Sequence, residues 1–247
     1  MNKNTANNRT IDVVLIRHAQ SQWNMENRFT GWANPPLTEA GLHEAEQAAR
    51  LLYEHGYQFD ASFSSRLLRA RQTLDVILEI LGQTELTQFQ DWRLNERHYG
   101  LLQGVNKAEK AKEVGEKQVW RWRRGYEDKA QPLPPTDPTH PVNDPLYHDI
   151  NPALLPDVEN LAETRIRVMQ FWRERVAPYI RLGERVLISS HGNTLRALIM
   201  GLANLSVEQV ESFEIPTGEP IIYTFNRNAE PISWRYLADQ HRKVMTV

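Results

Sequence analysis

At 247 residues and 40% hydrophobic, the chain is long enough to bury one sizeable core and too short for two large domains. A net charge of −2 and a sequence pI near 6.5 exclude the overall basic field that drives non-specific nucleic-acid binding, so any anion site must be local. The absence of cysteine excludes disulfides, thiolate metal sites and a thiol nucleophile.

The opening MNKNTANNRT is polar, and residues 1–10 read as a disordered lead before a single domain at residues 11–247. Apolar runs such as VVLI are too short to cross a bilayer, so a soluble cytoplasmic protein with no membrane partner is expected. IDVVLI has the unbroken apolar character of a strand buried on both faces. Thr38 to Tyr53 then reads as a helix, with Leu42, Ala45, Glu46, Ala49 and Leu52 at helical spacing, Thr38 as its cap and Gly56 as its stop.

FDASFSS is a second strand, and LLRARQTLDVILEIL follows as a helix with a stripe of Leu68, Thr73, Val76, Ile77, Ile80 and Leu81. ERVLISS and HGNTLRALIMGLANL repeat the strand-helix unit, and IIYTFNR adds one more strand. This alternation predicts an α/β three-layer sandwich, a mostly parallel central sheet flanked by helices. Between Gly125 and Pro156 stand eight of the 14 prolines, which exclude a regular helix or a central strand there. An insertion over about residues 100–160 near the active site is expected, of the kind that forms lids and binding loops.

Two of the strands end in histidine motifs, Arg17-His18 after VVLI and His191-Gly192-Asn193 after VLISS. In α/β sheets ligands bind beyond the carboxyl ends of strands, so neighbouring strands would bring both histidines to one crevice. FSSRLLRAR places Arg66 and Arg69 at a helix start, where free N–H groups and guanidinium forks attract phosphate; taken alone, the motif reads more readily as an exposed arginine pair on a helix surface. LNERHYGLLQGVNK carries Glu96, a carboxylate able to exchange protons with a hydroxyl during phosphoryl transfer, or equally to pair with a neighbouring arginine.

QVWRWRRGYED interleaves tryptophan with Arg121, Arg123 and Arg124, but in one short patch of an acidic chain, which argues against nucleic acid. No HExxH, carboxylate cluster or P-loop is present, and arginines beside the histidines repel a metal cation. A small phosphorylated ligand and covalent chemistry on histidine remain.

RHAQSQWN resembles the RHG signature of the histidine phosphatase superfamily. RFTGW, NERHYG, WRRG, SHGNTLRAL and IPTGEP resemble its 2,3-bisphosphoglycerate-dependent phosphoglycerate mutases, from about Val13 to about Leu237. The resemblance implies a phosphohistidine at His18 with Arg17 as its phosphate-holding neighbour, and substrate contacts at Ser21, Asn24, Thr30, Gly31 and Arg69. It makes Glu96 the proton donor and acceptor, with Arg97, His98 and Tyr99 beside it. Lys107, Arg123 and Arg124 would hold the substrate's carboxylate and second phosphate. His191 would stabilise the moving phosphoryl group, bordered by Gly192 and Asn193.

The activity so implied is interconversion of 3- and 2-phosphoglycerate in glycolysis and gluconeogenesis. It needs 2,3-bisphosphoglycerate as a phosphoryl-donating activator and no metal, and it takes place in a homo-oligomer, a dimer or tetramer. A histidine phosphatase hydrolysing a small phosphorylated metabolite is the alternative on the same residues. Three departures bear on that choice: Ala19 stands at the glycine of RHG, Gln20 at a frequent glutamate, and the tail HRKVMTV is short. A poorly shielded phosphohistidine admits water.

Overall fold

A computed structural model describes residues 10–238 and the backbone of Met245–Thr246. The expected lead at residues 1–10, apart from Thr10, and most of the HRKVMTV tail lie outside the described residues. The sheet is built from β1 (Ile11–Arg17), β2 (Ala61–Ser64), β3 (Gln88–Gln90), β4 (Val186–Ser190), β5 (Pro220–Phe225), β6 (Pro231–Tyr236) and β7 (Met245–Thr246). Their order is β3-β2-β4-β1-β5-β6-β7. Neighbours from β3 to β1 pair in parallel, while β5, β6 and β7 add on antiparallel to complete the other edge. One further strand was expected at the C-terminus; the turn at residues 226–230 folds a second one back on it, and β7 pairs with that.

The helices are α1 (Gln22–Met25), α2 (Glu39–Glu54), α3 (Leu68–Ile80), α4 (Lys107–Val114), α5 (Glu116–Arg124), α6 (Leu161–Phe171), α7 (Ala177–Leu182), α8 (Gly192–Ala203) and α9 (Val207–Ser212). Side chains alternate across a strand, and β1 shows how this makes three layers. Val13 and Leu15 join the core under α6 and α8, whereas Val14 and Ile16 join the core under α2 and α3.

Thr38 caps α2 as expected, its hydroxyl accepting from Gly41 N–H. The buried stripes are rotated from the expected ones. On α2 they comprise Ala45, Ala48, Ala49 and Leu52, while Leu42 is 39% exposed. On α3 they comprise Arg69, Ala70, Thr73, Leu74, Ile77 and Leu78, leaving Val76 and Ile80 half-buried. The alanines let α2 and α3 approach closely, and that approach selects which residues turn inward.

The proline-bearing stretch forms three single 3₁₀ turns, Pro141–Asn143, Pro145–Tyr147 and Pro152–Leu154. Each opens on a proline, whose missing N–H falls where a helix start has no intrahelical acceptor for it. His140, Asp144 and Asn151 cap the turns by accepting from a backbone N–H. Tyr147 and Leu155 pack on Trp32, which fastens the segment beside the carboxyl ends of the parallel strands.

Candidate active site

The two histidine motifs meet because β1 and β4 are adjacent and parallel, with Arg17 opposite Ser190. The next residue of each strand therefore leaves the sheet at the same level, and His18 N–H donates to Ser190 O at 2.9 Å. The rings of His18 and His191 lie 4.9 Å apart between centroids at 60°. α8 begins directly after His191, and its first turn presents Gly192 and Asn193.

Hydrogen bonds define the state of His18. Arg69 Nε–H donates to His18 Nε2 at 3.2 Å, and because a guanidinium only donates, Nε2 carries a lone pair. The proton sits on Nδ1, which donates to Ala19 O at 2.7 Å. Burial, then the charges of Arg69 and Arg17, hold the imidazole well below the usual histidine range. His18 is thus a neutral, pre-oriented imidazole among cations, with one nitrogen lone pair available.

Arg69 is itself fixed in the first turn of α3, donating to Ala33 O at 2.8 Å and Gly31 O at 2.9 Å. Burial lowers its pKa to about 10. Gly31 adopts φ +52 with Gln103 against it, so a side chain there would be both strained and obstructed. Arg17 donates to Ile215 O at 2.7 Å, and its buried Nε has no hydrogen-bond partner among the described residues. Burial also lowers the Arg17 pKa.

These groups line a pocket of about 640 Å³, its open mouth included. Asn24 enters it from α1, held by a reciprocal capping box with Ser21, and Thr30 and Gly31 come from the following loop. Lys107 opens α4, while Arg123 and Arg124 close α5. Burial, then the neighbouring Arg123 and Arg17, push the Lys107 ammonium down to about 8. Glu96 accepts Asn193 N–H at 3.2 Å and Arg97 N–H at 2.8 Å, so the start of α8 orients the carboxylate. Asn193 Nδ2 donates to Tyr99 OH at 3.0 Å, tying that phenol to the same wall.

Four of the expected site residues do not line the pocket. His191 is fully buried beside His18. Ser21 acts as the cap of α1. Arg97 is fully buried and donates to Trp122 O and Gly125 O, which holds the end of α5 where Arg123 and Arg124 sit. His98 is buried against Trp32, with Nδ1 accepting Gly100 N–H. Arg66 leaves the site altogether and pairs with Asp149 of the proline-bearing segment.

Three lining residues had not been singled out: Arg196, Glu214 and Ile215. Arg196 is one helical step from Asn193 on α8 and donates to its Oδ1 at 2.9 Å, a spacing visible in the sequence. Glu214 pairs with Arg124, and no local pattern foretells that contact. Ala19 is accommodated without left-handed backbone, its side chain buried against Leu37 and Ala45. Gln20 accepts from Thr38 Oγ1 at 2.9 Å and donates its N–H to Glu44 at 2.9 Å.

The histidine phosphatase superfamily (branch 1) model matches residues 13–235. A 2,3-bisphosphoglycerate-dependent phosphoglycerate mutase of Nitratidesulfovibrio vulgaris is 47% identical, covering 92% of this chain and 91% of the relative. One of the same name from Borreliella burgdorferi is 44% identical over 93% of each. In solved structures the fold recurs in a mycobacterial glucosyl-3-phosphoglycerate phosphatase, with TM-score 0.69 and 23% identity over 92% of this chain and 97% of that one. With its paired histidines, guanidinium wall and near full-length likeness to two such relatives, the chain belongs to the 2,3-bisphosphoglycerate-dependent phosphoglycerate mutase family of the histidine phosphatase superfamily.

Proposed function

We propose that the chain interconverts 3-phosphoglycerate and 2-phosphoglycerate in glycolysis and gluconeogenesis through a phosphorylated His18. The observation that carries this reading is one pocket in which a lone-pair imidazole nitrogen faces cations from two sources. Arg17 and Arg69 flank His18, while Lys107, Arg123 and Arg124 arrive from α4 and α5. A simple monophosphate needs only the first set; a phosphoglycerate, with a carboxylate at the other end, uses both.

The orphaned Arg17 Nε and this excess of cations fit a bisphosphorylated activator. Arg17, Arg69 and His18 would hold one phosphoryl group of 2,3-bisphosphoglycerate, and Lys107, Arg123 and Arg124 its opposite end. When bound, that compound supplies the phosphoryl group that charges His18.

The charged His18 gives its phosphoryl group to the 2-hydroxyl of 3-phosphoglycerate: the N–P bond breaks, a P–O bond forms and Glu96 takes the hydroxyl proton. Nε2 then takes the phosphoryl group from the 3-oxygen, to which Glu96 returns the proton. Arg17, Arg69 and His191 oppose the charge on the transferring group, so catalysis is chiefly positioning and electrostatic stabilisation.

Phosphorus NMR of 3-phosphoglycerate with and without catalytic 2,3-bisphosphoglycerate tests the proposal. Formation of 2-phosphoglycerate that depends on the bisphosphate and disappears in His18→Ala is expected. Release of inorganic phosphate alone would replace the mutase reading with a hydrolase, and unchanged substrate would leave a binder.

A further inference from the structure

We infer that Ser65 is a positioning residue that holds His191 as the Nδ1–H tautomer, so that this N–H is the one offered to the phosphoryl group on His18. The inference deepens the mutase reading and rests on its assignment of His18.

Ser65 directly follows β2 and reaches the site because β2 is the other parallel neighbour of β4, with Ser64 opposite Ser189. Its Oγ lies 2.7 Å from His191 Nε2 and also accepts Leu67 N–H at 3.2 Å, which ties the serine to the turn before α3. Both Ser65 and His191 are fully buried. His191 Nδ1 has no hydrogen-bond partner among the described residues.

Two arrangements of protons are open to this pair. If Nε2 carried the proton and gave it to Oγ, the serine O–H would have no acceptor among the described residues, and the Nδ1 lone pair would also stay unmatched. If the serine donates to Nε2, the hydroxyl is satisfied as donor and acceptor, and only Nδ1–H is left over. Buried polar groups are costly when unpaired, so the second arrangement prevails. The ring does not carry both protons: burial, then the charges of Arg69, His18, Arg167 and Arg17, hold His191 well below the usual histidine range.

The remaining N–H belongs to a ring centred 4.9 Å from the His18 ring. A phosphoryl group on His18 Nε2 would carry acceptor oxygens alongside the neighbouring His191 ring, where one can satisfy the orphan nitrogen. A neutral donor serves transfer in both directions because it gives no proton away. Ser65 therefore acts on the reaction through His191 and does not line the substrate pocket.

The test uses the full chain labelled with ¹⁵N-histidine. Two-bond ¹⁵N–¹H correlation spectra identify the protonated nitrogen of each ring, and His191→Gln assigns the signal. In the wild type His191 is expected as Nδ1–H. Ser65→Thr, which keeps the hydroxyl, should preserve both tautomer and turnover. Ser65→Ala should shift His191 toward Nε2–H and lower kcat about tenfold or more, with KM for 3-phosphoglycerate changed less than about twofold. An Nε2–H signal in the wild type overturns the inference even if Ser65→Ala fails to fold. So does a Ser65→Ala protein with unchanged tautomer and kcat. Failure of the mutase reading is separate: wild type would then make no 2-phosphoglycerate, whatever the spectrum of resting His191.

Discussion

The segment that presents Glu96 is clamped by one buried ion pair, and its removal is expected to damage stability and turnover together. Arg167 of α6 donates from Nε to Glu159 Oε1 at 2.6 Å and from Nη2 to Glu159 Oε2 at 2.8 Å, with side-chain exposures of 7% and 5%. The same guanidinium donates to Arg93 O at 2.7 Å and Glu96 O at 3.0 Å, and Glu159 Oε2 accepts His98 N–H at 2.9 Å. The pair thus grips the backbone on both sides of Glu96, aided by Trp32 Nε1–H on the Glu96 carbonyl. Glu159→Gln leaves a buried guanidinium without its counter-charge, a loss of about 3–5 kcal/mol. With a urea m-value of roughly 2.5 kcal/mol/M, the unfolding midpoint should fall by about 1.5 M. The kcat should drop more than KM changes, because Glu96 moves while Lys107, Arg123 and Arg124 stay on other elements. In Glu159→Gln/Arg167→Met the coupling term should recover part of the stability, since no charge is then stranded. Urea unfolding followed by tryptophan fluorescence reads the midpoint; a Glu159→Gln loss under about 1 kcal/mol would refute the clamp.

Burial lowers the His98 pKa to about 3, and pushes His18 and His191 well below their ordinary range, so the folded chain keeps three imidazoles neutral that the unfolded chain protonates. Their contribution is complete above the unfolded value and is lost as pH falls; for His98 the loss continues down to about pH 3. Below about pH 6 each should steepen the decline by roughly 1.4 kcal/mol per pH unit, and His98→Gln should flatten the curve by one such increment in urea titrations at pH 5 and 6. Gly41→Ala should cost about 1–3 kcal/mol and lower kcat, since a Cβ there overlaps the Gln20 carbonyl oxygen and displaces the turn after His18. Thermal unfolding and turnover check it, and a wild-type midpoint would show that the turn yields freely. Because the Lys107 ammonium titrates near 8, calorimetric affinity for 3-phosphoglycerate should weaken as pH rises through that value, whereas Lys107→Arg should retain affinity to higher pH. Parallel pH profiles for the two proteins would remove Lys107 from substrate binding.

The pairs Arg66/Arg69 and Glu96/Arg97 show how far local reading reaches. Arg66 and Arg69 stand in one motif of identical chemistry, yet Arg69 enters the first turn of α3 facing the sheet while Arg66 precedes the helix and pairs with Asp149. Glu96 and Arg97 are adjacent, yet one lines the pocket and the other braces α5. Residue type revealed the chemistry, and orientation separated the participants from their supports.

Strand character, the Thr38 cap and the exclusion of regular helix from the proline-bearing stretch follow from backbone sterics and hydrophobic period, which act over a few residues, so the sequence alone determined them. The phases of α2 and α3, the second C-terminal hairpin strand, the inward turn of Arg196 and the contact between Ser65 and His191 were decided by tertiary structure. Each depends on pairing or packing with residues remote in the chain, and β1 against β4 shows the reason most plainly. Only their parallel register, Arg17 beside Ser190, brings two histidines 173 positions apart into contact at one site.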